Sequence, residues 1–309
     1  MSTRARRPHR ALRATGGLLA AALTVSGCAS GGGAEPAAIP PLASPPTNEI
    51  EPGRFVWYDL VTEDVDAARR FYGALFGWEF TEVDGDRLHI VTVNGRDIAS
   101  IIDLEDTVQE IEGAAWFSSV SVLDVDAAAA EASRGGTLNV QPTDAPNRGR
   151  YSVIEDPHGA LLVLLRATGG DPVEHDEIGS GEFLWTELWT SDAREAVSWY
   201  ESLLDYESDF TGDDRRQYWL MSRAGEPRAG IGQLPFEADP AWLPYVAVAD
   251  AEGTVDRVVE LGGEVLIRPE ATVRGSTAVI VDPNGGILAV QEWPLPDEGS
   301  DDETRGGSR

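Results

Sequence analysis

The feature that most constrains the fold of this chain is an internal duplication. The run FVWYDLVTED, which begins at Phe55, aligns with FLWTELWTSD, which begins at Phe183, 128 residues later. Further on, DPHG from Asp156 matches DPNG from Asp282. Each Asp-Pro-x-Gly run predicts a tight turn that leads into an apolar strand. The chain is therefore expected to contain two copies of one domain of about 115 residues each.

Each copy divides again into two similar halves. A strand at 55–62 is followed by a helix at 64–75, for which Asp64 is the predicted N-cap. A strand at 116–122 is followed by a helix at 124–134, and further short strands follow each helix. The second copy repeats this order. The sequence therefore predicts an α+β fold made of four βαβββ units.

The first residues have the composition of a secretion signal. Five arginines and no acid precede residue 14, and a short apolar stretch follows from Gly16 to Val25. A bilayer needs about 20 apolar residues, so this stretch is too short to span one. The run Val25-Ser26-Gly27-Cys28 resembles the lipobox of bacterial lipoproteins. It predicts a lipid on Cys28 and a location outside the cytoplasm, on the bacterial cell membrane or outer membrane. The alternative is an ordinary signal peptide with an incidental cysteine.

Composition restricts the partners further. A net charge of −29 repels nucleic-acid phosphates, and no basic stripe offsets it, so no nucleic-acid partner is expected. A single cysteine excludes an intrachain disulfide, and a hydrophobic fraction of 42% excludes a wholly disordered chain. The predicted segments are a signal peptide (1–27), a Gly/Ala/Pro tether (28–51), a first domain (52–168), an acidic linker (169–180), a second domain (181–295) and a disordered acidic tail (296–309).

The run DVDAARRFYGALFGW, from Asp64 to Trp78, and the two Asp-Pro-x-Gly turns resemble the vicinal oxygen chelate superfamily. This superfamily includes glyoxalases, bleomycin resistance proteins and extradiol dioxygenases. The resemblance covers residues 52–295 and implies a duplicated domain whose units form two curved mixed-sheet cavities. Because the same fold serves metal enzymes and binding proteins, the function has to be inferred from the site.

The positions that hold the metal in metal-dependent members are apolar in this chain. In those members, nitrogen or oxygen ligands stand on the first strand of each unit and on the last strand. The resemblance carries these positions onto Trp57, Phe117 and Val163 in the first copy and onto Trp185, Leu243 and Ala289 in the second. None of these side chains is a metal ligand, so neither a metal nor another cofactor is expected.

Alternation along the strands predicts which side chains line each cavity. Val56, Tyr58 and Leu60 are expected to pack on the helix, and the opposite face is expected to line the cavity. The predicted ligand-binding residues on that opposite face are Trp57, Asp59, Phe117, Ser119, Val163, Trp185, Glu187, Trp189, Tyr245 and Gln291. Each cavity then has aromatic walls and one carboxyl group. This arrangement suits a flat or cationic organic molecule.

The sequence therefore predicts an envelope protein that binds or sequesters a small organic molecule without metal. The alternative is a glyoxalase-like lyase or dioxygenase-like enzyme with a non-standard metal site, or with Asp59 or Glu187 as a catalytic base. A site that joins His89 to Asp59 is a further alternative, although no ligand spacing supports it. In a purely structural interpretation, the tryptophans are core residues and an arginine or the backbone satisfies each carboxyl group. A protein-interaction module is the third class, and the oligomeric state stays open.

Overall fold

The computed structural model describes both predicted domains and the end of the tether. The described residues are 39–83, 87–104, 113–213, 217–272 and 275–294. The predicted signal peptide, Cys28 and the predicted acidic tail lie outside the described residues and remain predictions. Among the helices of the described ranges, none is both long enough and apolar enough to cross a membrane.

The first copy contains two successive βαβββ units. The elements of its first unit are β1 (Phe55–Thr62), α1 (Val65–Phe76), β2 (Glu79–Glu82), β3 (Leu88–Val93) and β4 (Arg96–Asp103). The elements of its second unit are β5 (Ala114–Ser121), α2 (Val125–Ala132), β6 (Thr137–Ala145), β7 (Gly149–Glu155) and β8 (Leu161–Ala167).

The second copy repeats this order. The elements of its first unit are β9 (Phe183–Thr190), α3 (Ala193–Leu204), β10 (Glu207–Phe210), β11 (Tyr218–Arg223) and β12 (Glu226–Gln233). The elements of its second unit are β13 (Ala241–Val248), α4 (Ala251–Glu260), β14 (Glu264–Thr272), β15 (Gly275–Val281) and β16 (Ile287–Glu292). The predicted α+β fold of four βαβββ units is confirmed.

Each copy forms one mixed sheet of eight strands. The strand orders are β2-β3-β4-β1-β5-β8-β7-β6 and β10-β11-β12-β9-β13-β16-β15-β14. The first strands of the two units pair antiparallel at the centre, β1 with β5 and β9 with β13. On their other sides, β1 and β5 pair parallel with β4 and β8. The central strands are the ones that carry most of the predicted site residues.

The helices start at the same signal in all four units. The carboxylate of Asp64, the predicted N-cap, accepts the backbone N–H of Ala67 at 2.8 Å. An aspartate that precedes each of the other helices makes the equivalent bond; these aspartates are Asp124, Asp192 and Asp250. Such a cap satisfies a backbone donor that the helix leaves without a partner, which fixes where the helix begins.

The helices pack on one face of the sheets, called the helix face, and join the two copies. Phe71 on α1 of the first copy and Val255 on α4 of the second belong to one apolar cluster. Ala129 on α2 and Tyr200 on α3 belong to a second apolar cluster. Because each cluster takes a helix from each copy, the two copies share their cores.

A pair of buried hydrogen-bond chains crosses this shared interface. The Tyr72 hydroxyl of α1 donates to Asp282 Oδ2 of the other copy at 2.9 Å and accepts from Trp116 Nε1 at 2.9 Å. The equivalent set, with the copies exchanged, is Tyr200, Asp156 and Trp242. The two aspartates are those of the Asp-Pro-x-Gly turns. Burial raises the pKa of both, against the effect of the backbone N–H groups that each accepts. The turns therefore connect the copies as well as the strands.

The last part of the predicted tether packs on the first copy. Ile39, Leu42 and Ala43 are at most 7% exposed. Further along, the backbone N–H of Glu51 donates to Asp171 Oδ2 at 2.7 Å, and the Asp171 N–H donates to the Glu49 carbonyl at 2.8 Å. The described end of the tether and the start of the acidic linker therefore hold each other against the first copy.

Candidate functional site

The face of each sheet opposite the helices, called the inner face, carries the predicted site residues. In the first sheet, Trp57, Phe117 and Val163 belong to one apolar cluster, whereas Tyr58 and Leu60 belong to the cluster of the helix face. Ser119 pairs with Trp57 on one side and with Val163 on the other. The alternation predicted for β1 is therefore confirmed from Trp57 onward.

The prediction for Val56 is wrong. The pairing of β1 with β5 shifts by one residue between Phe55 and Trp57, so Val56 is an extra residue in the strand. Such a bulge breaks the period of two. Val56 therefore belongs to the inner-face cluster, and Phe55 packs with the helix-face clusters instead.

A buried polar group lies at the centre of the first inner face. Trp57 Nε1 lies 3.2 Å from Asp59 Oδ1 and 2.9 Å from Ser100 Oγ. The guanidinium of Arg148, from the turn between β6 and β7, lies 4.6 Å from the centroid of the Trp57 ring and donates through Nη2 to Ser100 Oγ at 3.1 Å. This stacking places a cation on the aromatic wall. The chain therefore supplies its own cation where a cationic ligand was predicted.

Burial perturbs both ionisable groups of this site. It raises the pKa of Asp59, and the charge of Arg148 together with hydrogen bonds from Ser100 and Trp57 acts in the opposite direction. Burial also lowers the pKa of Arg148, against the effect of the Asp59 charge. The charge of each group stabilises the charged form of the other, although no ion pair joins these two described side chains directly.

The first inner face is closed to solvent. Trp57 is 2% exposed and Phe117 is 4% exposed, and Ile39 and Leu42 of the N-terminal segment belong to the same apolar cluster. The first copy therefore follows the structural interpretation for Trp57, with the addition of a buried arginine.

The carboxyl group of Glu187 occupies the centre of the second inner face. The Tyr218 hydroxyl donates to Glu187 Oε1 at 2.7 Å. On the other oxygen, the Tyr245 hydroxyl donates to Oε2 at 2.5 Å and Trp189 Nε1 donates to it at 3.1 Å. Within the described part of the chain, three donors from three strands thus fix the orientation of this carboxyl group, and Glu187 as a whole is 4% exposed.

The second inner face is more open than the first. Trp185 and Trp189 are both half-buried, and Trp185 Nε1 donates to the Tyr218 hydroxyl at 3.3 Å. Below them, Leu243, Tyr245 and Ala289 form a small buried cluster. Gln291 is half-buried at the end of the same sheet face. The second copy therefore combines a buried acid with aromatic rings that reach the solvent.

The residues at the family's metal positions do not fit a metal ion. The first-copy positions Trp57, Phe117 and Val163 lie together on β1, β5 and β8, as the resemblance implies, but they offer no ligand atom. The second-copy positions are Trp185, Leu243 and Ala289. The described residues contain no group of three or more His, Cys, Asp or Glu side chains placed to hold a metal. The side chains present thus lack the donors that such an ion needs.

The alternative site that joins His89 to Asp59 is wrong. His89 pairs with Ile101 of β4, a residue of the helix-face cluster, whereas Asp59 pairs with Ser100. Neighbouring positions along a strand point to opposite faces. His89 and Asp59 therefore lie on opposite sides of the first sheet.

Several polar residues of the inner faces were not predicted from the sequence. Arg148 approaches the first site from the turn before β7, and Tyr151 approaches it from β7. Tyr218 approaches Glu187 from β11. Alternation relates residues within one strand only, so the partners that other strands contribute were not predicted. One sequence signal was available: Arg148 directly precedes Gly149, and glycine is typical of turns.

Sequence comparisons agree with this architecture. Residues 54–164 match the family model for the glyoxalase/bleomycin resistance protein/dioxygenase superfamily, and residues 185–290 match the model for a glyoxalase-like domain. The chain is 30% identical over 265 residues to the "Putative glyoxylase CFP32" of Mycobacterium tuberculosis (strain CDC 1551 / Oshkosh), which covers 82% of this chain and 100% of that protein. The chain belongs to the glyoxalase/bleomycin resistance protein/dioxygenase superfamily.

A second relative and two solved structures extend the comparison. The chain is 30% identical over 258 residues to the anthracycline biosynthesis protein DauV of Streptomyces sp. (strain C5), covering 78% of this chain and 94% of that protein. The Mn(II)-bound glyoxalase from Novosphingobium aromaticivorans has a TM-score of 0.55 at 14% identity, covering 79% of this chain and 83% of that one. The 2,3-dioxygenase LapB from Pseudomonas sp. KL28 has a TM-score of 0.53 at 16% identity, covering 79% and 94%. These two similarities establish the fold alone.

Proposed function

We propose that this protein binds a flat aromatic cation at the second inner face without a metal ion. The observation that carries the proposal is the carboxyl group of Glu187, fixed by three donors between two half-exposed tryptophans. Trp185 and Trp189 provide ring faces for stacking, and a cation over such a ring is stabilised by about 0.5–2 kcal/mol. The acid supplies the opposite charge, and its fixed orientation favours a ligand of defined shape.

Two further observations support this assignment. The positions that would supply metal ligands hold Trp185, Leu243 and Ala289, so a metal would need a different set of donors. In addition, a relative that aligns with most of this chain is named an anthracycline biosynthesis protein. Anthracyclines are planar polycyclic aromatic compounds, which is the shape that the two tryptophans suit.

The test is a fluorescence titration of the full chain, purified as the Cys28→Ser variant, with two flat probes of similar size. Proflavine is a cation and anthraquinone-2-sulfonate is an anion. We expect saturable binding of proflavine that survives about 1 M salt, at which the Debye length is about 3 Å and non-specific attraction to the acidic surface is screened. Chelation should leave this binding unchanged.

Substitutions assign the probe to the site. Glu187→Gln keeps the shape and removes the charge, and it should weaken proflavine binding about 10-fold or more, since about 1.4 kcal/mol corresponds to a factor of 10. Trp185→Leu tests stacking at a half-exposed position. The matched control is Glu207→Gln, at an exposed acid on β10. An equal loss in the control, or a stoichiometric metal whose removal abolishes binding, would refute the proposal and favour the enzyme alternative.

We also propose that a lipid on Cys28 anchors the protein outside the cytoplasm, on the cell membrane or the outer membrane. The support is the arginine-rich start, the short apolar stretch and the lipobox-like Val25-Ser26-Gly27-Cys28. Metabolic labelling with a palmitate analogue should label the wild type and leave Cys28→Ser unlabelled and in the soluble fraction. Equal labelling of both proteins would contradict the anchor.

A further inference from the structure

Arg148 is a buried cation that the fold leaves only partly satisfied. The residue is 4% exposed, and its Nη2 atom donates to Ser100 Oγ. Its Nε and Nη1 atoms are buried and have no hydrogen-bond partner among the described residues. An arginine side chain carries five N–H donors, and leaving buried charged donors without acceptors is costly.

A second buried donor that lacks an acceptor among the described residues lies close to Arg148 in sequence. Tyr151 is 1% exposed, and its hydroxyl also has no hydrogen-bond partner among the described residues. Tyr151 belongs to the inner-face cluster with Phe117 and Val163, and it pairs across the sheet with Leu165. Burial raises the pKa of this hydroxyl to about 12, so it keeps its proton and remains a donor at neutral pH.

The nearby acid does not use these donors. Asp59 accepts from Trp57 Nε1 and makes no direct ion pair with Arg148 within the described part of the chain. Two nitrogens of Arg148 and the hydroxyl of Tyr151 are therefore donors on an apolar face for which the described residues supply no acceptor. A carboxylate is the acceptor that fits an arginine, because its two oxygens match pairs of guanidinium N–H groups.

We propose that the first inner face binds a small organic carboxylate, with Arg148 and Tyr151 as its donors and the rings of Trp57 and Phe117 around its apolar part. The segment Ile39–Ala43 covers this site, since Ile39 and Leu42 belong to the same buried cluster. A ligand therefore enters when this segment moves away. The site is separate from the one around Glu187, and it selects the opposite charge.

The experiment is a calorimetric titration of the full chain, as Cys28→Ser, with benzoate and with benzamide. The two probes have the same shape and differ in charge. We expect one benzoate per chain and no saturable binding of benzamide. Absence of saturable benzoate binding, or equal binding of both probes, would overturn the proposal.

Substitutions then locate the benzoate. Arg148→Met should abolish binding or weaken it at least 10-fold, and Tyr151→Phe, which removes one hydroxyl and leaves the core intact, should weaken it several-fold. At a pH at which Asp59 is ionised, Asp59→Asn should strengthen binding because it removes a negative charge near the anion, an effect that a purely structural role of Arg148 does not produce. The matched control is Arg150→Met, whose guanidinium lies at the surface with Asp126 and Asp144. Unchanged affinity in Tyr151→Phe, or an equal loss in Arg150→Met, would place the anion elsewhere.

The covering segment has its own test. Ile39→Ser combined with Leu42→Ser should increase the association rate of benzoate at least several-fold, because the segment then leaves the site more often. Leu123→Ser, at a surface residue that is 65% exposed, is the control for loss of an apolar side chain. An unchanged association rate in the double variant would show that the segment does not cover the entrance.

Discussion

The two inner faces come from the same duplicated sequence and have diverged in opposite directions. In the first, Trp57 is 2% exposed, its aspartate lies near a buried arginine, and a segment of the N-terminal region covers the sheet. In the second, the equivalent Trp185 is half-buried, and tyrosines and a tryptophan hold the acid. The same pair of aromatic and acidic positions therefore lies on a closed face in one copy and on an open face in the other.

The helix faces of the two copies have diverged much less. The bonds from Tyr72 to Asp282 and from Tyr200 to Asp156 are equivalent, and each connects one copy to the other. A change at this interface affects both copies, whereas a change on one inner face affects one copy. Duplication thus preserves the shared interface and leaves each inner face free to change.

The largest difference in the loss of stability is expected between substitutions of the equivalent residues Trp57 and Trp185. Trp57→Ala removes a fully buried ring and should lower the free energy of unfolding by about 3–5 kcal/mol. Trp185→Ala removes a half-exposed ring and should cost about 1–2 kcal/mol. Urea denaturation, followed by circular dichroism so that the lost fluorophore does not matter, measures both. Equal costs would contradict the assignment of one face as closed and the other as open.

An intermediate loss of stability, equal for the two copies, is expected when the hydroxyl groups at their shared interface are removed. Tyr72→Phe and Tyr200→Phe each remove a hydroxyl that donates to a buried aspartate and accepts from a tryptophan. Each should cost about 1–3 kcal/mol, the penalty for leaving buried partners unsatisfied. The urea midpoints of the two variants should agree, and a clear disagreement would show that the halves are not equivalent here.

The smallest expected effect is the pH dependence of stability that Asp59 of the first inner face contributes. Because burial raises the pKa of Asp59 above its ordinary value of 3.8 in the folded state, the folded protein retains a proton that the unfolded chain releases. Stability from this group is therefore present at low pH and is lost as the pH rises above that value. Asp59→Asn does not titrate, so the wild type should lose stability relative to it as the pH rises above 3.8. A constant difference between the two urea midpoints over this range would refute the raised pKa.

Much of the fold followed from local rules. Asp64 was identified as an N-cap because its side chain can accept a backbone N–H three residues later, and this contact forms. The inner-face position of Trp57 followed from the period of two in a strand. Val56 was misplaced because a bulge depends on how β1 pairs with β5, and the local pattern contains no sign of it.

The sites themselves were predicted only in part. The positions of Asp59 and Glu187 on the inner faces followed from alternation. The donors that surround them did not, because Arg148 comes from the turn before β7 and Tyr218 comes from β11, and the pairing of distant strands brings them close. The packing of Ile39 and Leu42 was also missed, since a segment rich in Gly, Ala and Pro gives no periodic signal.

The sequence alone determined the duplication, the four βαβββ units, the apolar side chains at the metal positions and one acid on each inner face. These properties depend only on residue types and on their spacing along the chain. Only the tertiary structure decided that the first face is closed around an arginine and that the second is open around a fixed acid. Burial and hydrogen bonding depend on residues that lie far apart in sequence, and the free energy of an ionisable group depends on what surrounds it in space.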